Sequence, residues 1–504
     1  MNSGVGRGAF ALVVSGFVCK IFGLLFRVPL TNIVGIDGIG IFQIIMSVYS
    51  LLLVFVSSGI TNALSKLVSQ SRARGENLKI SGFLRSAFKF GLGLSVLLGL
   101  FFALLSRQIS SLQRIIGQGS SYILLILLLP LGTLIGIYRG VFQGYENMNP
   151  TAISQIFEQI IKFFLGLFFA YFLGRSGQGV FGAFLGITFS EIVAFLYLMI
   201  RGRKIIKTSP FIKVNREFFS AVLPLSLSSA IIPLSMAVEA FAIIFLLSHA
   251  GLNVHDATIL YGLQSGVVAT VLHFPLILSI SVSVALLPKI SFLSSQNDIE
   301  GQKRVISNSF GVLWFFLVPI TVGIISVSRE LYPLIYPNLM NENLDIVFSL
   351  TLIGGVSTIM NGISQFLIAI LQGKGYFVDS AIFLSVGAVI KVFVLFSLAP
   401  ISAIGVYAIV ISNILLYSII SIFILIKVGK LIKVDFFEFT LPILSSAIMF
   451  MAVSILMSIF SGVVGLIISS VSGALIYFLV AFPLTIQFAK EFLGKIKFQR
   501  RNIC

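Results

Sequence analysis

Seven ionisable side chains stand inside stretches that are otherwise apolar over the width of a bilayer: Lys20, Arg27, Lys162 and Lys391 on the basic side, Glu158, Glu191 and Glu239 on the acidic. A charge in hydrocarbon costs at least about 2.5–3.5 kcal/mol on insertion scales, so each should face a partner or a watery cavity. The chemistry that the cations suit is recognition of an anion. Arg27 carries a planar, bidentate donor set matched to phosphate, and the lysines add point charges. Glu239 lies deep in a span that Pro224 and Pro233 can bend. It reads either as a hydrogen-bonded packing residue or as a site of proton or ion coupling.

Local pattern says how these groups are presented. Asn149-Pro150 supplies an N-cap and a first-turn proline, so a helix should begin there. From it Thr151, Ser154, Gln155, Glu158, Gln159 and Lys162 project at spacings of three and four, while Ile153, Ile156, Phe157, Ile160 and Phe164 line the opposite face. The polar side cannot face lipid, which makes Gln155, Glu158, Gln159 and Lys162 candidate substrate contacts. Glu158 and Lys162, at i and i+4, are also placed to neutralise each other. In CKIFGLLFRVPL, Lys20 and Arg27 are two turns apart on one face; snorkelling to an interface is the alternative for both. His273 is read as neutral, and Asn361, Gln365 and Asn413 as interhelical hydrogen-bonding groups.

The elements that must hold these residues are membrane helices. Of 504 residues 58% are hydrophobic and 10% charged, with mean hydropathy +1.09, whereas a soluble domain has about a quarter of its residues charged. The dyad alternation of barrel strands is absent. Gly, Pro and charge clusters divide the chain into fourteen spans: 10–34, 40–65, 83–106, 119–140, 150–173, 179–200, 217–248, 257–287, 305–327, 345–371, 376–398, 402–426, 438–460 and 464–488. With both termini cytoplasmic, 26 of the 34 Lys and Arg fall on inward segments or toward the inner ends of the adjoining spans (Arg85, Lys89 and Arg139), from Arg7 to the tail group Lys490, Lys495, Lys497, Arg500 and Arg501; Arg107, Arg114, Arg175 and Arg329 fall outward. The net charge of +17 is thus read as topology signals and contacts to anionic lipids, as in RGRKIIKTSPFIKVNR, with no nucleic-acid partner. Cys19 and Cys504 suggest neither a disulfide framework nor a metal site, no Walker A sequence is present, and no cofactor is called for.

An internal repeat organises the spans. FQGYENMNPTAISQIFEQIIKFF lies over LQGKGYFVDSAIFLSVGAVIKVF at an offset of 229, matching Gln143 with Gln372, Gly144 with Gly373 and Lys162 with Lys391. A fainter echo joins NALSKLVSQSRARGE (62–76) to VALLPKISFLSSQND (284–298). The expected organisation is an all-α polytopic membrane protein with a six-helix lobe at 1–207, a second at 208–434, and an appended helix pair with a basic tail at 435–504. Six is even, so the pseudo-axis runs along the membrane normal.

KIFGLLFRVPL, YSLLLVFVSSGITNALSKLVSQSRARGE, RGVFQGYENMNPTAISQIFEQ and AILQGKG resemble the stage V sporulation protein B and polysaccharide-biosynthesis flippase family. That family belongs to the multidrug/oligosaccharidyl-lipid/polysaccharide exporter superfamily, which includes lipid II flippases. The resemblance implies two lobes around a central cavity, rocker-switch alternating access, cationic first-helix residues (here Arg27 and Lys20), and a lipid-tail groove formed by the last two helices. Arg139, Gln143 and Gln372, in the repeated motif, become candidates for a gate or lobe-linking role.

The function so implied is a flippase for an undecaprenyl-pyrophosphate-linked saccharide, foremost lipid II, in a bacterial cytoplasmic membrane. It would act as a monomer, beside anionic lipids and cell-wall synthesis proteins. A drug or metabolite antiporter of the same superfamily is the first alternative, although organic cations favour a carboxylate-dominated cavity. A membrane enzyme acting on lipid-linked sugars is the second; its catalytic residues would need larger outer loops than these. A scaffold without transport activity is the third.

Overall fold

The computed structural model describes residues 3–113, 120–203, 215–432, 436–460 and 462–484; the side chains of 3–13, 77 and 215 are outside that description. The tail group at 490–501, Cys504, Arg114 and the middle of the 201–216 basic cluster lie outside the described residues. Every described regular element is a helix, the form in which a single segment satisfies its own backbone polar groups in lipid.

Helix α1 (Ser3–Leu53) continues through a π-turn at Val54–Ser58 into α2 (Gly59–Ala73). At about 1.5 Å per residue so long a run exceeds one bilayer crossing. It is broken at Gly35, with φ 82° and ψ 174°, a combination open essentially to glycine alone. The break falls between the first two expected spans. Next come α3 (Asn77–Leu104), the short α4 (Ser106–Leu112) and α5 (Ser120–Ile123), then α6 (Leu125–Gly144), α7 (Asn149–Gly174), α8 (Gly179–Gly202) and α9 (Asn215–His249).

The eighth span is not one helix. α10 (Val254–Gly262) passes through a π-turn at Leu263–Val268 into α11 (Ala269–Leu272), and α12 (Leu276–Ser295) restarts after His273, Phe274 and Pro275. Pro275 lacks an N–H and its ring clashes with the preceding turn, which ends α11. Then follow α13 (Ile299–Ile335), α14 (Leu344–Gly373), α15 (Phe377–Leu398), α16 (Tyr407–Val428), α17 (Phe436–Ile459) and α18 (Gly462–Val480). Among the described residues 13 helical runs are long and apolar enough to cross a membrane, and the first, Val14–Ala73, holds two spans divided at Gly35. The protein is therefore an all-α polytopic membrane protein with about fourteen transmembrane helices.

Two compact units divide the chain. One takes residues up to Thr270 together with Ala388–Ser412; the other takes Val271–Gly387 and the chain from Asn413 onward. In the first, Ile60, Leu64 and Val68 of α2 close against Phe83 of α3, Val141 of α6 and Phe218 of α9. Ser57 and Thr61 reinforce this seam, donating to the carbonyls of Gly132 and Gly136 at 2.7 and 2.9 Å. In the second, Phe315 and Val327 of α13 pack on Met449 and Val453 of α17 and Tyr477 of α18. Two polar anchors fix those last helices: Trp314 donates to the Phe439 carbonyl at 2.9 Å, and the Tyr477 hydroxyl to the Phe315 carbonyl at 2.6 Å.

The repeat seen in sequence has a backbone counterpart in each unit. After α6, Glu146 has φ 60°, its N–H meets the Gln143 carbonyl and that of Asn147 meets Phe142; after α14, Gly375 has φ 85°, its N–H meets Gln372 and that of Tyr376 meets Leu371. These are Schellman turns, at the offset of 229. Gly75 and Asn297 end α2 and α12 in the same way, 222 residues apart. The seats match as well. A Cβ on Gly144 would lie 2.6 Å from Val68 and 3.0 Å from the Ser65 carbonyl; one on Gly373 would lie 2.9 Å from Ile290 and 3.1 Å from the Leu287 carbonyl.

α7 and α8 approach closely. A Cβ on Gly186 would lie 2.2 Å from the Cα of Gly166, and one on Gly182 would lie 2.3 Å from the Phe169 carbonyl oxygen. This is small-residue packing between membrane helices, and backbone cannot give way as a side chain can. Gly186→Leu is expected to cost about 3 kcal/mol. A lowered melting temperature in detergent checks this; unchanged melting would refute the tight seam.

Candidate functional site

The polar face of α7 turns toward the first span of α1. Ser15 donates to Gln155 Oε1 at 3.1 Å, and the Cys19 thiol lies 3.7 Å from the Gln155 carbonyl oxygen. Below them, Phe22 packs edge-on to Phe163, and Phe26 fits against Gly166, where any larger residue would collide. The Lys162 ammonium lies 5.7 Å from the centre of the Phe26 ring. Helical spacing on both elements thus brings Arg27, Gln155 and Lys162 to one α1–α7 seam, and Lys20 lies on α1 within reach of the Arg27 charge. Lys20 is exposed, while Arg27 and Lys162 are half-buried.

Glu158 does not pair with Lys162. Its Oε2 meets the Arg139 guanidinium of α6 at 2.9 Å, while Arg139 Nε donates to Ser154 Oγ at 3.0 Å. The fork geometry of guanidinium explains the preference: one side chain reaches two acceptors a helical turn apart. Arg139, placed by sequence in a gate or lobe-linking motif, here ties α6 to α7. With Glu158 so engaged, neither Lys20 nor Lys162 has a carboxylate within ion-pair distance among the described residues. The charge of Arg27 reaches both lysines. Gln159 Oε1 is buried without a hydrogen-bond partner.

Lys391 and Glu239 lie together. Their ammonium and carboxylate stand 2.9 Å apart, with side chains 3% and 10% exposed, joining α15 to α9 within the first unit. Glu239 Oε2 makes no hydrogen bond of good direction, so the contact is chiefly Coulombic. Gln143 is half-buried at the end of α6; in the second unit Gln372 Nε2 is 3.4 Å from Ser380 Oγ. Gln365 bonds Asn361 within α14 at 2.8 Å, an i,i+4 contact in place of the interhelical one expected. His273 sits in the α11–α12 break.

Sequence reading passed over Tyr49, which donates its hydroxyl to the buried Glu191. Among so many aromatic residues a phenol in an apolar span carries no distinguishing mark; the intramembrane acid was the usable signal. In the second unit, α13, α17 and α18 line an open-sided apolar pocket of about 360 Å³, bounded by Phe316, Ile320, Ile324, Val453, Leu466 and Ala474 among others.

The arrangement can therefore hold an anion at the α1–α7 seam and an apolar chain in the second unit. Residues 5–294 match the family described as Polysaccharide biosynthesis protein. Stage V sporulation protein B of Bacillus subtilis (strain 168) is 28% identical over 314 residues, 58% of this chain and 59% of that protein, so less than two thirds of that relative is spanned. Lipid II flippase MurJ of the same organism is 25% identical over 427 residues, 78% of this chain and 76% of the relative. Among solved structures, Lipid II flippase MurJ in an inward closed conformation gives a TM-score of 0.71 at 17% identity, covering 94% of this chain and 99% of that one. An inward-facing multidrug resistance MATE family transporter of the MOP superfamily gives 0.63 at 15% identity, covering 82% and 95%. These structural likenesses show a shared fold. Matched by the family over more than half its length, the chain belongs to the polysaccharide biosynthesis protein family.

Proposed function

We propose that the protein is a flippase that carries an undecaprenyl-pyrophosphate-linked saccharide, foremost the peptidoglycan precursor lipid II, from the inner to the outer leaflet. The observation that carries this reading is the cation surplus near the α1–α7 seam: Glu158 is committed to Arg139, and neither Lys20 nor Lys162, both reached by the charge of Arg27, has a described carboxylate in ion-pair contact. Unbalanced cations in a membrane interior are costly unless an anion visits them. A pyrophosphate is such an anion, and its hydrated sugars could not cross hydrocarbon alone.

In this mechanism Arg27 grips the pyrophosphate through its fork, while Lys20 and Lys162 supply charge and Gln155 and Gln159 meet sugar hydroxyls. The apolar pocket of α13, α17 and α18 accepts part of the polyprenyl chain. Closing the inner entrance and opening the outer one then moves the headgroup, with differential binding to the two states setting the bias. Both termini are cytoplasmic on this reading, and the chain works as a monomer in a bacterial cytoplasmic membrane, supplying cell-wall synthesis proteins.

The test uses cells depleted of their own lipid II flippase and an impermeant enzyme that cleaves only outer-leaflet headgroups. Expression of this chain is expected to restore cleavage. Absence of restoration at normal abundance would reject lipid II as the substrate and direct the same assay to another lipid-linked glycan, or to drug efflux.

A further inference from the structure

Glu191 is the one acid of the first unit's interior that its surroundings do not explain. It lies on α8, 5% exposed, where α8 packs on α1, α5, α6 and α7. Tyr49 of α1 donates its hydroxyl to Oε1, while Oε2 is buried with no hydrogen-bond partner. The charged groups that face it are Arg139 from α6 and Glu158 and Lys162 from α7. None is in ion-pair contact with it: Arg139 is held by Glu158 and Ser154, and Lys162 lies over Phe26. Tyr122, the titratable residue of α5, gives its hydroxyl to Gln113.

An ionised carboxylate in such a seat would be a buried charge with one hydrogen bond and no counter-ion, far costlier than the neutral acid. A metal ion needs a shell of several oxygens, and among the described residues no cluster of three His, Cys, Asp or Glu forms. We infer that Glu191 is a proton-binding site, occupied in this conformation, and that its occupancy sets how firmly the neighbouring cations hold an anion. Release of the proton places a second negative charge beside Glu158, and Glu191 then competes with the headgroup for Lys162. By linkage, binding of an anion draws a proton onto Glu191. The proton site stands on geometry alone; its control of substrate rests on the function proposed above.

Infrared spectroscopy of the purified full chain tests the first part. Wild type is expected to show the C=O stretch of a protonated carboxylic acid near neutral pH, absent from Glu191→Gln, shifted in Tyr49→Phe and retained in Glu158→Gln and Glu239→Gln. Identical spectra for wild type and Glu191→Gln would overturn the proton site; if that variant does not fold, an unshifted band in Tyr49→Phe would do so. The second part is tested with farnesyl pyrophosphate as the probe. Wild-type affinity is expected to fall with rising pH, by at most about tenfold per pH unit for one exchanged proton, and to be level in Glu191→Gln. The carboxylic band together with pH-independent affinity would overturn control of binding. The band with no probe binding at any pH would refute the substrate reading and leave the proton site standing.

Discussion

Lys391→Met alone is expected to destabilise the protein by about 3–5 kcal/mol, because it strands Glu239 as a buried charge. The companion Glu239→Gln strands the ammonium and should cost a similar amount. Removing both charges is a different matter: the pair gains Coulomb energy only after a heavy desolvation cost, so the double variant Lys391→Met/Glu239→Gln should recover most of the loss. Melting temperatures of the four proteins in detergent form the cycle. Single losses that simply add in the double variant would show that the 2.9 Å contact carries no coupling.

Arg27→Ala is expected to lower the rate of lipid II exposure at least about 100-fold, the loss of two charge-assisted hydrogen bonds at about 1.5–3 kcal/mol each. Abundance should not change, since Arg27 is half-buried and its helix remains anchored through Phe22 and Phe26. Arg27→Lys should fall between, keeping the charge and losing the fork. Arg107→Ala, exposed on α4, is the control expected to transport at the parental rate. Equal rates for Arg27→Ala and the parent would remove Arg27 from the site.

The spans were legible because lipid imposes a simple rule, long apolar runs with charge at their ends, and the break at Gly35 falls in the gap expected between 34 and 40. The broken eighth span was less so: hydropathy runs on through His273, Phe274 and Pro275, and the proline was the sole warning. At the site, periodicity correctly gathered Ser154, Gln155, Glu158 and Lys162 on one face, since that is a property of one helix. It could not choose the partner of Glu158, because Arg139 reaches it from another helix across a turn. The same limit hid the union of Glu239 with Lys391, 152 positions apart, and of Tyr49 with Glu191. Contacts between distant helices follow from packing, and packing leaves no period in the sequence.

Glu146 and Gly375 bear on ancestry. Two hairpins with few identical side chains share one left-handed turn, one hydrogen-bond pattern and one glycine seat before it. Such agreement is what a duplicated gene leaves behind when substitution has erased most of the text and folding has kept the syntax. The left-handed conformation costs a non-glycine residue about 1–2 kcal/mol, a cost that the N-terminal copy bears at Glu146 and the other copy avoids at Gly375.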